Sequence, residues 1–518
     1  MSIPHNFVVR LNLLRLGDEA AGRAALAKAW KRDRFNERTR NVLDLYDNTI
    51  DKQYTDVTRK ALALRLPTVD HEFVEDGLAE AYSRARAALD TSYGIDPGTL
   101  RLEVFADPDH FSIRTVGVPS LGALGVCFGP LITLLGPYHG THNIDQVVWH
   151  ELAHVYAIRL SDGRVPRWFT EGLSEWESEL ADPAWARESA SLLTAAAKAG
   201  KLRRLGDLEL AFLRAESALG MEVAYASSAY AIRYLGETYG HAKLEAILKG
   251  YATGAATEEL FERHLGKPFK TIEDEFDAHL RARLQATIRG WSPSQEPGSD
   301  DPRDALYVAT VQAVKAGDAQ TAEQNLHKLI QSGGDGYRVR MALADLLRAG
   351  PSWQSAEAHL QRAHEFNAEA IEPLVGLSEL ARRRGDLAAE KARLGDALAI
   401  DAMSFDPAAR LLMLAAASGD AKTRDLALRR ARAIAPLHPI TLSGRALALA
   451  GAGDTKAALA LHRRAREATP QRGPSDTLVV MALAAAAVGD AAAAKELAAA
   501  ARKDDKLAKV AKDALAKL

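Results

Sequence analysis

The period of the hydrophobic positions changes along this chain, and the changes mark its parts. Between Glu72 and Tyr93 the residues Phe73, Leu78, Ala81, Tyr82 and Ala85 share one side of a helical wheel, which predicts a helix. Leu100 to Phe105 alternates as Leu-Arg-Leu-Glu-Val-Phe, the period of a strand. Ala123 to Leu135 is apolar but broken by Gly125, Gly129 and Pro130, and predicts one or two strands. From 142 to 288 the pattern is mainly helical. Ile144, Val147, Val148, Leu152, Val155 and Ile158 form one apolar stripe. After the turn signal Asp162-Gly163, Pro166 is suited to open a second helix, predicted from about 167 to 180.

The C-terminal part carries a longer period. Gly-Asp recurs at Gly317-Asp318, Gly385-Asp386, Gly419-Asp420, Gly453-Asp454 and Gly489-Asp490, with glycine spacings of 68, 34, 34 and 36. The first spacing is two periods, so one repeat lacks its Gly-Asp, and Gly350-Pro351 stands in that place. Twelve residues after these points come Ala363, Ala397, Ala431, Ala465 and Ala501, with Leu329 in the first repeat, and Pro436 and Pro470 close two of them. Gly-Asp marks the turn of a helical hairpin, the small alanine lets helices approach, and each hairpin leaves an apolar face that a stacked neighbour buries. Over about residues 303–518 this resembles a tetratricopeptide solenoid. Gly17-Asp18 followed by Ala29 has the same offsets and predicts an orphan hairpin over about residues 7–47, which packs on the next domain or ends a longer array. Gly290 to Pro302 (GWSPSQEPGSDDP) reads as a linker or surface connection.

Composition narrows the function classes. Hydrophobic residues make up 47% and charged residues 26%, which excludes a wholly disordered chain, while 6% aromatics in an Ala- and Leu-rich sequence suits helices packed on small residues. Lys+Arg at 66 against Asp+Glu at 68 gives a net charge of -2, so no nucleic-acid footprint is indicated. Cys127 is the one cysteine, so no internal disulfide forms, and the redox compartment stays open. The longest apolar stretch, Leu121 to Leu135, is interrupted by glycines and falls short of the roughly 18 residues that span a bilayer. Met1 to Asn6 lacks the features of a signal peptide, which places the chain in the cytoplasm by default, or outside it if an N-terminal segment is missing.

His150-Glu151-Leu152-Ala153-His154 matches H-E-x-x-H on the predicted helix. Residues four apart lie one above the other, so His150 and His154 can point at one ion, and Glu151, about 100° round, stands beside it. Two histidines on one face of a helix have a plain structural reading as well. Zinc needs a third protein ligand and an open position. Glu171 lies 17 residues after His154, and the second helix presents Glu171 and Glu175 on one face, with a short loop able to bring Glu171 back. His142 and Asp145 stand as other third-ligand candidates.

H-E-L-A-H followed by P-R-W-F-T-E-G-L-S-E resembles the gluzincin metallopeptidases, and more closely the bacterial peptidase-MA-type domains joined to tetratricopeptide repeats. The resemblance covers about residues 95–288, including His110 to Pro130. It implies an α+β metallopeptidase domain, a small sheet plus zinc-binding helices, followed by an all-α tetratricopeptide solenoid. It implies one Zn2+ per chain held by His150, His154 and Glu171, with Glu151 the general base on zinc-bound water and Glu175 orienting a ligand histidine. The helix around Ala224 to Leu235, ending at Tyr239-Gly240, is similar to a Tyr-rich helix of such domains; Tyr225, or else Tyr230, then holds the oxyanion. No G-x-M-E-N segment precedes the motif, which argues against gripping a free substrate amine. The glycine-rich Gly122 to Pro130 can instead supply an edge strand for an extended peptide.

The expected organisation is a tetratricopeptide-like hairpin over 1–50, an α/β subdomain with the substrate-side sheet over 55–140, a helical zinc-binding subdomain over 141–290, a linker over 291–302 and repeats over 303–518. The expected partners are a peptide or protein substrate and a protein on the repeat surface. The competing reading is a catalytically inactive peptidase-fold scaffold that binds proteins through its repeats. Arg382-Arg383-Arg384 and His438 are expected to be repeat residues, His139 a loop residue and Cys127 a small buried one.

Overall fold

The computed structural model describes residues 11–186, 189–214, 217–294, 299–468 and 473–518. The readings of Met1 to Asn6 and of Pro470, and the middle of the 291–302 segment, lie outside these.

The first part is a mixed sheet with helices on both faces. Its strands are β1 (Tyr54–Arg59), β2 (Leu62–Pro67), β3 (Leu100–Phe105), β4 (Gly125–Cys127) and β5 (Leu131–Leu135), in the order β1-β2-β3-β5-β4. β1 and β4 run antiparallel to their neighbours, and β2, β3 and β5 are parallel. The N-terminal helices are residues 11–15, α1 (Glu19–Arg32) and α2 (Glu37–Leu45). The crossovers are α3 (His71–Tyr93) and α4 (Pro108–Val116). Alternation along the strands sorts their side chains. Leu62, Leu64, Leu66, Leu100, Leu102, Val104, Ile132 and Leu134 share one core with α3 and with α5 (Ile144–Leu160). Phe105 faces the other way, into a separate cluster with Leu11, Leu14, Leu26, Val42 and Tyr46 of the N-terminal helices and Phe111 of α4.

One polar position of β3 is removed from water. Glu103 is 1% exposed, with Arg114 at 2.8 Å and Arg65 at 3.3 Å. Arg65 also reaches Glu19 and Asp56, each at 3.0 Å, so the network ties α1 to the sheet.

After α5 come α6 (Arg167–Ala181), α7 (Ala190–Lys198), α8 (Leu208–Leu213), α9 (Ala218–Tyr239), α10 (His241–Tyr251), α11 (Thr257–Leu265) and α12 (Phe269–Thr287). Then six helical hairpins follow, α13 (Pro302–Lys315) with α14 (Ala319–Gln331), α15 (Tyr337–Ala349) with α16 (Ala356–Phe366), α17 (Glu372–Arg384) with α18 (Leu387–Ile400), α19 (Phe405–Ser418) with α20 (Ala421–Ile434), α21 (Pro439–Gly451) with α22 (Thr455–Ala468) and α23 (Ser475–Ala487) with α24 (Ala491–Ala501), and α25 (Lys509–Leu515) ends the run.

The hairpin turns explain the Gly-Asp pairs. Gly317, Gly385, Gly419, Gly453 and Gly489 have φ between +71° and +89°, the left-handed region that ends a helix. The aspartate after each accepts a hydrogen bond from the backbone N–H three residues on, capping the next helix. Gly17-Asp18 does the same before α1. Where the pair is missing, Gly350 is extended and a 3-10 turn, Trp353–Ser355, bridges α15 and α16. Ala363, Ala397, Ala431, Ala465 and Ala501 are fully buried at the helix crossings.

The array folds inward at its C-terminal end. α19 packs against α23 and α25 as well as α20 and α21, so Leu411, Leu412, Met413, Leu414 and Ala415 are all buried. Arg410 of α19 pairs with Glu390 of α18 and Asp476 of α23, each at 2.7 Å. The array also lies against the first part. Arg464 pairs with Asp70 at 2.6 Å, Arg430 with Asp182, and Arg432 with Glu80. Isolated β-bridges Ile288–Asn367 and Gly290–Gly336 fasten the start of the connecting segment to it. Among the described residues no helix is long and apolar enough to cross a membrane.

Candidate metal centre

α5 opens at Asn143, whose side chain accepts from the Gln146 N–H. Its helical spacing stacks His150 and His154, whose Nε2 atoms approach to 3.2 Å. α6 opens after Pro166 and packs against α5. Gly172, next to Glu171, lies at a close approach of α6 and α9: a β-carbon there would stand 2.4 Å from the Ser228 carbonyl oxygen. Glycine at this position brings α9 up against the ligand-bearing turn of α6.

Glu171 Oε2 lies 3.5 Å from His150 Nε2 and 3.4 Å from His154 Nε2. Tetrahedral zinc with bonds of about 2.0–2.1 Å spaces its donors by about 3.3–3.4 Å. The two imidazoles and one carboxylate oxygen therefore fit zinc in both donor type and spacing. His150, Glu151 and His154 also offer ligand atoms within 4.8 Å of one another. The carboxylate between the two rings is nevertheless that of Glu171.

The outer nitrogens differ: His154 Nδ1 is hydrogen-bonded, while His150 Nδ1 is buried without a hydrogen-bond partner. Thr170 Oγ1 lies 2.7 Å from His154 Nδ1, and Glu175 Oε1 lies 3.4 Å from His150 Nδ1, an ion-pair distance long for a hydrogen bond. The Thr170 bond on the Nδ1 side turns His154 Nε2 toward the site.

The two glutamates differ in environment. Burial pushes the Glu151 carboxyl up to about 7, against the pull of His154. It lies under the sheet edge: a β-carbon on Gly125 of β4 would stand 2.6 Å from Glu151 Cγ and Oε1, and the Cys127 N–H hydrogen-bonds to it. Burial acts on Glu171 in the same sense, but hydrogen bonds with His150 and His154 override it and hold its carboxyl well below the usual carboxylate range.

Tyr225, on α9, donates its hydroxyl hydrogen to Glu171 Oε1 at 3.2 Å, and Arg167 Nη2 donates to the Tyr225 oxygen at 2.9 Å. Burial and the Glu171 charge push the Tyr225 hydroxyl up to about 12. Tyr230 is five residues further on, about 140° round the helix. Its ring lies 5.0 Å from the Arg233 guanidinium and 5.7 Å from that of Arg283. The other third-ligand candidates are engaged elsewhere. His142 Nε2 bonds the Leu135 carbonyl at 2.9 Å, and Asp145 pairs with Arg84 at 2.8 Å. His139 bonds the Ala106 carbonyl, and burial raises the Cys127 thiol, which accepts from the Gly129 N–H.

Sequence reasoning missed Thr170, Arg167 and Gly125. The first two sit inside P-R-W-F-T-E-G, where the helical offsets to Glu171 were available. Gly125 gave no signal, because its role depends on which strand lies over Glu151.

Fold and site together define a metallopeptidase-type arrangement, with a mixed sheet whose edge covers a His-Glu-x-x-His helix and a second helix supplying a carboxylate. Residues 136–282 match the family described as the Peptidase MA superfamily. No curated protein matches the chain.

Proposed function

We propose that this chain is a gluzincin-type zinc metallopeptidase that hydrolyses peptide bonds, with His150, His154 and Glu171 holding one Zn2+. The observation that carries the reading is the position of Glu171 Oε2 within 3.5 Å of both Nε2 atoms, beside a separate buried glutamate, Glu151. Zinc, when bound, supplies Lewis-acid polarisation of a carbonyl and of a water molecule. Glu151 takes the proton of the attacking water and passes it to the leaving amine. Tyr225 turns its hydroxyl to the carbonyl oxygen as charge develops there. β4 is the sheet edge beside α5 and offers backbone groups to an extended peptide.

The test is Glu151→Gln. It keeps about one zinc per chain and loses hydrolysis of a peptide library read by mass spectrometry. Full turnover by this variant, or wild-type protein that takes up no zinc, overturns the reading.

We propose further that residues 303–518 are tetratricopeptide repeats that recruit a protein partner or substrate to the peptidase. Val308, Val311 and Val314 of α13 are exposed at helical spacing and support a contact on the first hairpin. A protein trapped by Glu151→Gln, cleaved by wild type and lost from a Val308→Asp, Val311→Asp variant would bear this out. Unchanged capture by that variant would reject the surface.

A further inference from the structure

Glu171 has two carboxylate oxygens, and the structure gives them different company. Oε2 faces the two histidines. Oε1 faces away, 3.3 Å from Arg167 Nε and 3.2 Å from the Tyr225 hydroxyl. Arg167 also donates through Nη2 to the Tyr225 oxygen at 2.9 Å, so Arg167, Tyr225 and Oε1 close a ring of three hydrogen bonds. Phe212 supports both partners. The Arg167 guanidinium lies 5.0 Å from its ring centre, and the Tyr225 ring meets it edge-on at 5.0 Å.

The place of Arg167 along the chain is unfavourable for the helix it opens. It is the first residue of α6, whose first turn holds no acidic residue. A cation at that end opposes the helix dipole. Glu171 stands four positions further on, so both side chains lie on one face of the helix. A cation kept where the helix disfavours it, and aimed at one oxygen of the carboxylate that faces the histidines, has a local task.

Resting on the metal reading above, we infer that Arg167 is a positioning residue: with Tyr225 it holds Glu171 Oε1 away from the ion, so that Glu171 binds through Oε2 alone. A carboxylate free to rotate can bind through both oxygens and fill the position that a catalytic site leaves for water and substrate. Holding Oε1 by two donors on two different helices opposes that rotation. The arrangement also gives Tyr225 a defined resting partner, from which it turns to the substrate carbonyl while Arg167 stays on Oε1.

Coordination itself tests this, and no substrate is needed. The full-length chain is compared with Arg167→Met by two measurements: zinc affinity, by competition with a chromophoric chelator, and the visible spectrum of the cobalt(II)-loaded protein, which separates four- from five-coordinate ions. The expected result is a four-coordinate spectrum in the wild type, a weaker five-coordinate spectrum in Arg167→Met, and a loss of zinc affinity of about 10- to 100-fold. Arg167→Gln, which keeps an amide donor, should fall between them and serves as the second variant if Arg167→Met is poorly folded. Tyr225→Phe should shift the spectrum the same way, and the double variant should lose less affinity than the two single losses combined, because both groups act on one oxygen. Wild-type spectrum and affinity in both Arg167 variants overturn the inference and leave the metal reading standing. A wild-type chain that binds neither cobalt nor zinc overturns both.

Discussion

Thr170 shows how one residue beside a ligand sets another ligand's direction. It precedes Glu171 by one position, so it points about 100° round α6, and its hydroxyl meets His154 Nδ1 at 2.7 Å. Thr170→Val keeps the shape and removes this bond. Zinc affinity should fall about 10-fold, measured by chelator competition, with the thermal transition of the metal-free chain unchanged. A second residue-scale prediction concerns pH. His241 Nε2 lies 3.0 Å from the buried Glu177, which also accepts from the Tyr93 hydroxyl at 2.7 Å. The hydrogen bond to Glu177 raises the His241 pKa, more than burial lowers it. The folded state therefore binds the proton more tightly than the unfolded chain. The stability from His241 is full below the unfolded pKa of about 6.5 and is lost as pH rises through the raised folded value. Urea unfolding of wild type and His241→Gln should differ more at pH 5.5 than at pH 9. Equal differences at both would remove the linkage.

At the scale of the element, the short strand β4 and the hairpin crossings leave little room for added atoms. Gly125 leaves room for the Glu151 side chain, which a β-carbon at that position would approach to 2.6 Å. Gly125→Val should displace Glu151, cutting peptide hydrolysis at least about 100-fold, the range of a positioned proton-transfer group. Bound zinc, counted by metal analysis, should be unchanged. In the array, Ala431 is fully buried where α20 meets its neighbours. Ala431→Leu should destabilise by about 1–3 kcal/mol through overpacking, read from the urea midpoint.

The whole molecule adds a connection that neither part has alone. Asn143 caps α5 with its side-chain oxygen, and its Nδ2 donates to the Ala402 carbonyl of the helical array at 2.8 Å. The Ala402 N–H in turn reaches the Ala184 carbonyl, just past the end of α6. The array therefore touches the ends of both helices that carry the candidate ligands. Asn143→Ser retains a capping oxygen and loses the tether, whereas Asn143→Ala loses both. Thermal unfolding should rank wild type above Asn143→Ser above Asn143→Ala, each step about 1 kcal/mol. Equal stability of Ser and Ala variants would assign the whole effect to the tether.

By itself the sequence determined what depends on short range. The helix at His71–Tyr93, the strand at Leu100–Phe105, the Gly-Asp turns and the stacking of His150 over His154 all follow from local period and backbone preference. It also pointed to Glu171, through a motif close enough in sequence to form a helical pair with His150-Glu151. Tertiary structure decided what depends on approach between distant elements. Glu103, a polar position in the alternating strand, lies buried with Arg114, because the N-terminal helices cover that face of the sheet. Gly125 became the cover of Glu151 through strand order, and Arg167 and Tyr225 met on one carboxylate oxygen because Gly172 lets α9 close on α6. In the array, α19 packs on α23 and α25, which are not its neighbours in sequence. Periodicity records which face of an element is apolar, while the identity of the surface that covers it depends on contacts hundreds of residues apart.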